Sequence, residues 1–230
     1  MQHQEIVLIS TVHQEIGKCN PEELYKIIES INPDVIFLEA FEDNYTKYDQ
    51  MKFSQFGIYN ERLELKTLQK YRLNHFYEYV PVLDIGLSNE FEEKIKIVSE
   101  NMDYKRLFDK YTILERDGGF EFLNSNKSVV LQEEMRQLEN HIIDNEIFHQ
   151  KVNESIDEYE NSMLRNIYSF YNEKSFRKAI FMCGAAHRKS ISEKIKKSEI
   201  KLDYTQPVNT KDNVWPRNDG RYENVFLAPL

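Results

Sequence analysis

The chain has 230 residues, with 39 Asp and Glu against 30 Lys and Arg, and its formal net charge is -9 at pH 7. Binding to nucleic-acid phosphates or to anionic membranes depends on clustered Lys and Arg, so this acidic balance argues against both as main partners. Its 2 cysteines are too few for a disulfide framework. No apolar run approaches the roughly 20 residues of a membrane span, and the first residues lack the pattern of a signal peptide. We therefore expect a soluble, cytoplasmic protein.

The first forty residues have the pattern of one βαβ unit. A continuous apolar run at about residues 5–12 predicts a strand that is buried on both faces. Asn20 followed by Pro21 is typical of a helix start, with Asn20 as the N-cap. A second apolar run at residues 34–39 predicts the next strand. We expect the connection between the two strands to be right-handed.

The rest of the chain continues the alternation of strands and helices. After residue 41 the sequence predicts a helix at about 54–76, a strand at 79–84, a largely helical charged stretch at 88–174 with a turn at 117–119, a strand at 179–187, a helix at 190–197 and a strand at 200–204. The expected fold class is α/β, with a central, mostly parallel sheet flanked by helices. A large helical cap or insertion precedes the His187 strand.

The domain prediction follows from this alternation. We expect one α/β domain over residues 1–205, which includes the helical insertion at about 88–174, and an extended C-terminal tail over residues 206–230. The amphipathic segments at 129–171 suit packing within the cap and packing across a homodimer equally well. The sequence does not choose between these two arrangements.

Three of the predicted strands lead into a residue with catalytic chemistry, namely His13, Glu39 and His187. Ligands of parallel α/β sheets bind outside the carboxyl ends of the strands, so we expect these side chains to meet in one crevice. Asp84, after the third strand, is a further candidate. Such residues bind Mn, Fe, Co or Zn, and they also suit acid/base hydrolysis without a metal. The sequence does not decide between metal binding and metal-free hydrolysis. It also allows the simpler hypothesis that these residues are structural and only form hydrogen bonds.

Five short motifs in this order resemble the TraB/Tiki superfamily, in which a strand ends in Gly-x-x-His and a Pro-Asp-x-Val-x-x-Glu strand follows. They are Ser10-Thr11-Val12-His13, Pro33-Asp34-Val35-Ile36-Phe37-Leu38-Glu39, Pro81-Val82-Leu83-Asp84, Met163-Leu164-Arg165-Asn166 and Gly184-Ala185-Ala186-His187. The resemblance covers roughly residues 5–40 and 160–192, and the motifs between these ranges match by order alone.

The resemblance implies a hydrolase that cleaves an amide or ester bond of a small-molecule or peptide substrate. His13, Glu39 and His187 would be metal ligands or acid/base groups, and a bound ion would be Mn, Co, Fe or Zn. Glu39 would polarise the attacking water. Arg165 would stabilise the oxyanion or hold a substrate carboxylate. Asp84 would support one of the ligands by a hydrogen bond without contacting the metal.

Two positions depart from the family pattern and bear on activity more than on fold. Ser10 stands where the family has the first glycine of its motif, and Asn166 stands where it has an acid after the arginine. Two alternative functions stay open, the first because of these departures and the long charged cap, and the second because of the family's membership. One is a non-catalytic binding or signalling protein that keeps the fold and the pocket. The other is a haem- or iron-binding protein similar to the ChaN-like members.

Overall fold

The computed structural model describes residues 4–41 and 62–197, together with the backbone of residues 203–205. The first part of the predicted helix at 54–76 and the predicted tail at 206–230 lie outside the described residues. Within the described ranges, no helix is long and apolar enough to cross a membrane.

Within the described residues, the centre of the fold is a five-stranded sheet in the order β3-β2-β4-β1-β5. Every pair of neighbouring strands is parallel. The strands are β1 (Glu5–Thr11), β2 (Val35–Phe41), β3 (Glu78–Leu83), β4 (Lys178–Gly184) and β5 (Asp203–Thr205). The α/β prediction with a parallel sheet is therefore confirmed.

The register of the three inner strands brings distant parts of the chain to one edge of the sheet. Thr11 pairs with Gly184, so β1 and β4 end at the same level. Leu38 pairs with Met182, which places Glu39 beside the last residues of β4. β1, β2 and β4 are almost entirely buried, because helices cover both faces of the sheet. Burial on both faces explains why the sequences of these strands are continuous apolar runs.

Three helices alternate with the strands in the expected way: α1 (Pro21–Ile31), α2 (Leu63–Arg72) and α7 (Arg188–Lys197). Asn20 caps α1 as predicted, since its side chain accepts a hydrogen bond from the Glu23 N–H at 3.0 Å. Asn32 ends α1 in the left-handed conformation, with φ of 51°. A short 3₁₀ turn, Ala185–His187, joins β4 to α7.

The predicted helical stretch between β3 and β4 is confirmed as a cap of four helices. They are α3 (Asn89–Glu100), α4 (Met102–Leu123), α5 (Asn126–Ile142) and α6 (Glu146–Glu173). The predicted turn at 117–119 coincides with a break at Gly119, where two helical segments of α4 meet. Only Gly119 leaves the helical conformation, and α4 continues to Leu123. The predicted homodimer through this cap stays a prediction.

Candidate active site

His187 and Glu160 form a buried pair at the carboxyl edge of the sheet. Nδ1 of His187 lies 2.9 Å from Oε1 of Glu160, and the side chains are 12% and 1% exposed. Glu160 comes from α6 of the cap, and its other carboxylate oxygen accepts a hydrogen bond from Ser190 and forms an ion pair with Lys194, both of α7. A carboxylate at Nδ1 holds the proton on that nitrogen and leaves Nε2 as the basic atom of the ring.

The two partners shift each other's protonation. Burial favours the neutral form of His187, but the hydrogen bond to Glu160 and the charges of Glu39 and Glu160 outweigh burial and raise the pKa of His187. Burial also opposes the charge of Glu160, but hydrogen bonds from His187 and Ser190, with the charges of His187 and Lys194, lower the pKa of Glu160. The pair therefore favours an imidazolium beside a carboxylate.

Glu39 faces the other ring nitrogen of His187. It is 5% exposed, and its Oε1 lies 3.8 Å from Nε2 of His187. The Tyr159 hydroxyl donates to Oε1 at 2.6 Å and the Gly184 N–H donates to Oε2 at 2.6 Å. Burial, followed by the charge of Glu39, raises the pKa of Tyr159, so the phenol keeps its proton and donates. The Tyr159 ring stacks on His187 with a centroid distance of 5.3 Å.

His13 forms a second histidine–carboxylate pair. Its Nδ1 lies 3.0 Å from Oε1 of Glu64, and the side chains are 47% and 1% exposed. Thr11 also donates to Glu64, at 2.8 Å. The Arg62 guanidinium lies against the His13 ring and donates to the Glu39 carbonyl oxygen at 3.3 Å. Burial opposes the charge of Glu64, but the hydrogen bond from His13 and the charges of His13 and Arg62 lower its pKa.

The structure brings His13, Glu39 and His187 into the wall of one cavity of about 870 Å³. The cap helices supply much of the remaining wall. Arg165 and Asp84 are exposed and do not line this cavity. β2 also continues past Glu39 to Phe41, so Glu39 reaches the cavity from within the strand and not from its end.

Both departures from the family pattern have structural partners. The Ser10 hydroxyl accepts a hydrogen bond from Nη1 of Arg188 at 2.9 Å, and the Ser10 N–H donates to Oδ1 of Asn124 at 2.8 Å. These bonds tie β1 to α4 and α7. Asn166 donates to the carbonyl oxygen of Val82 at 3.2 Å and to Asp84 at 2.9 Å. Asn166 and Asp84 thus fasten α6 to the end of β3, away from the two histidines.

Sequence reasoning missed the carboxylates that orient the histidines. Glu64 and Glu160 both lie on charged helices, where acidic residues usually face solvent. Their positions did carry a signal, because each stands four and seven residues before buried apolar or aromatic residues. Glu64 precedes Leu68 and Tyr71, and Glu160 precedes Leu164 and Ile167. An acid inside the apolar stripe of a helix predicts a buried partner.

The described side chains around the cavity are not arranged as the ligand set of a divalent metal ion. Among the residues that the structure describes, no group of three or more His, Cys, Asp and Glu side chains is arranged to hold one. Nδ1 of His13 and Nδ1 of His187 instead contact two different carboxylates. The arrangement fits two separate histidine–carboxylate pairs better than a three-ligand metal centre. The metal site implied by the family resemblance stays a prediction.

Comparisons with known proteins found no relative of this chain. The chain matched no protein-family model, no curated protein and no solved structure. The resemblance to the TraB/Tiki superfamily therefore stays a prediction from the five motifs.

Proposed function

We propose that the chain is a hydrolase that cleaves an amide or ester bond, with His187 as the general acid and base. The observation that carries this proposal is the position of His187 in the cavity wall, between Glu160 at Nδ1 and Glu39 near Nε2. A histidine that is oriented by one buried carboxylate and faces a second can accept a proton and stabilise the resulting charge. The cavity provides the space in which a substrate carbonyl would lie.

The proposed reaction uses water as the nucleophile. Nε2 of His187 takes a proton from a water molecule as the water oxygen attacks the carbonyl carbon, and the carbonyl electron pair moves onto oxygen. The negative charges of Glu160 and Glu39 stabilise the imidazolium. The intermediate then collapses, the C–N or C–O bond breaks, and His187 returns the proton to the leaving nitrogen or oxygen. The products are an acid and an amine or alcohol.

The neighbouring groups hold this arrangement in place. Tyr159 and the Gly184 N–H occupy one oxygen of Glu39 each, so this carboxylate stays directed at His187. His13 is about half exposed, with its side chain at 47%, and it would contact the substrate from the other wall. Glu64 would orient His13 as Glu160 orients His187.

A divalent ion bound by His13, Glu39 and His187 is the alternative that the family resemblance implies. It would supply a Lewis acid for the carbonyl or a bound hydroxide. Metal analysis of protein purified without chelator separates the two readings. We expect little bound Mn, Co, Fe or Zn. Near-stoichiometric metal in wild type that is lost in His187→Ala would contradict metal-free hydrolysis and support the metal site.

Hydrolysis of a substrate panel tests the proposal. The panel contains p-nitrophenyl esters and aminoacyl p-nitroanilides, and it is run with wild type, His187→Ala and the control His141→Ala. His141 is exposed on α5 and does not line the cavity. Since general acid–base catalysis contributes about 100-fold or more, we expect His187→Ala to lose at least that factor while its Tm stays near that of wild type. Equal rates in wild type and His187→Ala would refute the proposal.

A wild-type protein that hydrolyses no member of the panel would favour the alternative of a binding protein that keeps the pocket. The haem alternative has its own readout, an absorbance band on adding haem to the purified protein. We expect no such band, because Nδ1 of His13 and Nδ1 of His187 each contact a carboxylate and Glu39 lies near Nε2 of His187.

A further inference from the structure

Glu115 is a carboxylate in the cavity wall that the proposed chemistry does not use. It lies on α4 and is only 8% exposed. In the part of the chain that the structure describes, its carboxylate has no hydrogen-bond donor and no ion-pair partner. Its oxygens are not among the fully buried atoms without a partner and face the cavity, so the carboxylate is free to contact a group that enters from outside the chain.

The charges around the cavity favour a cation as that partner. The lining residues of the described chain include the basic side chains Lys94, Arg136 and Lys189. Each of them already contacts a carboxylate: Lys94 lies 2.9 Å from Glu139, Lys189 lies 2.7 Å from Glu133, and Arg136 pairs with Glu133. An anionic ligand would share these cations with carboxylates that already neutralise them, whereas a cation finds Glu115 unpaired.

Aromatic residues extend from Glu115 along the same face of α4. Tyr104, Phe108 and Tyr111 also line the cavity, and their spacing of four, three and four residues up to Glu115 places all of them on one helix face. The Tyr104 and Phe108 rings are nearly parallel, with an interplanar angle of 13°. Aromatic faces attract organic cations and also bury apolar groups.

We propose that Glu115 binds the cationic group of the ligand, a protonated amine or a guanidinium, and that Tyr104, Phe108 and Tyr111 contact the apolar part of the same molecule. That this ligand is the substrate rests on the proposed hydrolase function. It then specifies the substrate class as an amide or ester that carries a positive charge. The binding site itself does not depend on hydrolysis.

The protonation of Glu115 agrees with this assignment. Burial raises the pKa of Glu115 to about 6, so the group is mostly ionised at pH 7.5 and mostly protonated at pH 5. A bound cation favours the ionised form. Binding of an amine through Glu115 should therefore weaken as the pH falls from 7.5 to 5.

Isothermal titration calorimetry at pH 7.5 tests the site with matched probes. The cationic probe is 2-phenylethylamine, and the anionic probe is 3-phenylpropanoate. The variants are Glu115→Gln and, as a control, Glu193→Gln, because Glu193 is another carboxylate of the cavity wall but is less buried. We expect saturable binding of the amine by wild type and Glu193→Gln, at least tenfold weaker binding by Glu115→Gln, and no binding of the carboxylate probe.

Equal amine affinities in wild type and Glu115→Gln would overturn the assignment, as would tighter binding of 3-phenylpropanoate than of the amine or no binding of the amine at all. A Tm for each variant shows that it is folded. The outcome is separable from that of the hydrolase proposal. Amine binding through Glu115 without any hydrolysis would leave this site standing and remove the enzymatic function. Hydrolysis of neutral substrates alone, without amine binding, would support the hydrolase proposal and overturn the Glu115 site.

Discussion

The protonation of His187 is governed by the carboxylates on either side of its ring. Burial alone would lower its pKa, and of the groups that raise it the hydrogen bond to Glu160 has the largest effect. Glu39 adds a second negative charge at 3.8 Å from Nε2. The raised pKa makes His187 a stronger proton acceptor, as a general base requires.

Replacing Glu160 should move this titration. In Glu160→Gln the hydrogen-bonded negative charge is lost. We expect the pKa of His187 to fall, because burial lowers it and only Glu39 then remains to raise it. NMR titration of the imidazole resonances measures it. Asp157→Asn is the matched control, because Asp157 contacts Lys194 at 2.7 Å and shares that partner with Glu160. An unchanged pKa of His187 in Glu160→Gln would show that the pair does not set its protonation.

Glu115 should make the stability of the folded protein depend on pH. Burial raises its pKa from 4.5 to about 6, so as the pH rises the unfolded chain loses this proton before the folded protein does. The free energy of unfolding therefore decreases as the pH rises from 4.5 to about 6. The pKa shift corresponds to a loss of about 2 kcal/mol of stability at neutral pH. Glu115→Gln removes this loss.

We accordingly expect Glu115→Gln to be more stable than wild type at pH 7.5, by up to about 2 kcal/mol, and close to wild type at pH 4. Urea denaturation at the two pH values measures the difference. Glu134→Gln, an exposed carboxylate on α5, should change the stability at neither pH. A Glu115→Gln variant that is less stable than wild type at pH 7.5 would contradict this expectation.

The geometry of α4 depends on a single glycine. Gly119 has φ of 60° and ψ of -147° inside the helix, a conformation that L residues rarely adopt. A Cβ there would lie 2.7 Å from Cβ of Lys18. The backbone of α4 thus approaches the loop between β1 and α1 closely, and this loop also contains the Lys18 N–H that donates to the Arg116 carbonyl oxygen at 2.9 Å.

Gly119→Ala should destabilise the protein by about 1–3 kcal/mol, because it combines an unfavourable backbone conformation with a steric contact. The midpoint of urea denaturation measures the loss. Gly86→Ala serves as the control, since a Cβ at Gly86 would meet only Phe41 Cζ, at an ordinary 3.8 Å. Equal midpoints for Gly119→Ala and wild type would show that α4 does not need this interruption.

The fold of the whole molecule could largely be predicted from the sequence. The apolar runs that became β1, β2 and β4 are buried on both faces, and such runs are typical of parallel strands. The cap could be predicted as helical with a break at 117–119, but the close approach of Gly119 to Lys18 could not. Sequence periodicity does not report such tertiary contacts.

The site could be predicted only in part, because its geometry depends on strand order. β4 lies between β1 and β2, which brings His187 next to Glu39 and places His13 on the other side of β4. β3 lies at the sheet edge, so Asp84 ends up apart from the histidines. Glu64 and Glu160 approach from helices, and no motif at the strand ends indicated them. The strands predict where the site lies, and the helices complete it.

The pH dependence of kcat/KM for wild type and Glu160→Gln tests the central claim, that the His187–Glu160 pair performs acid/base hydrolysis, most directly. The free enzyme needs neutral His187 to accept a proton, so kcat/KM should rise with pH through the pKa of His187. The account predicts that this limb lies at lower pH in Glu160→Gln, by the same amount as the pKa measured by NMR. Coincident limbs in the two proteins, or a wild type without hydrolysis at any pH, would contradict it.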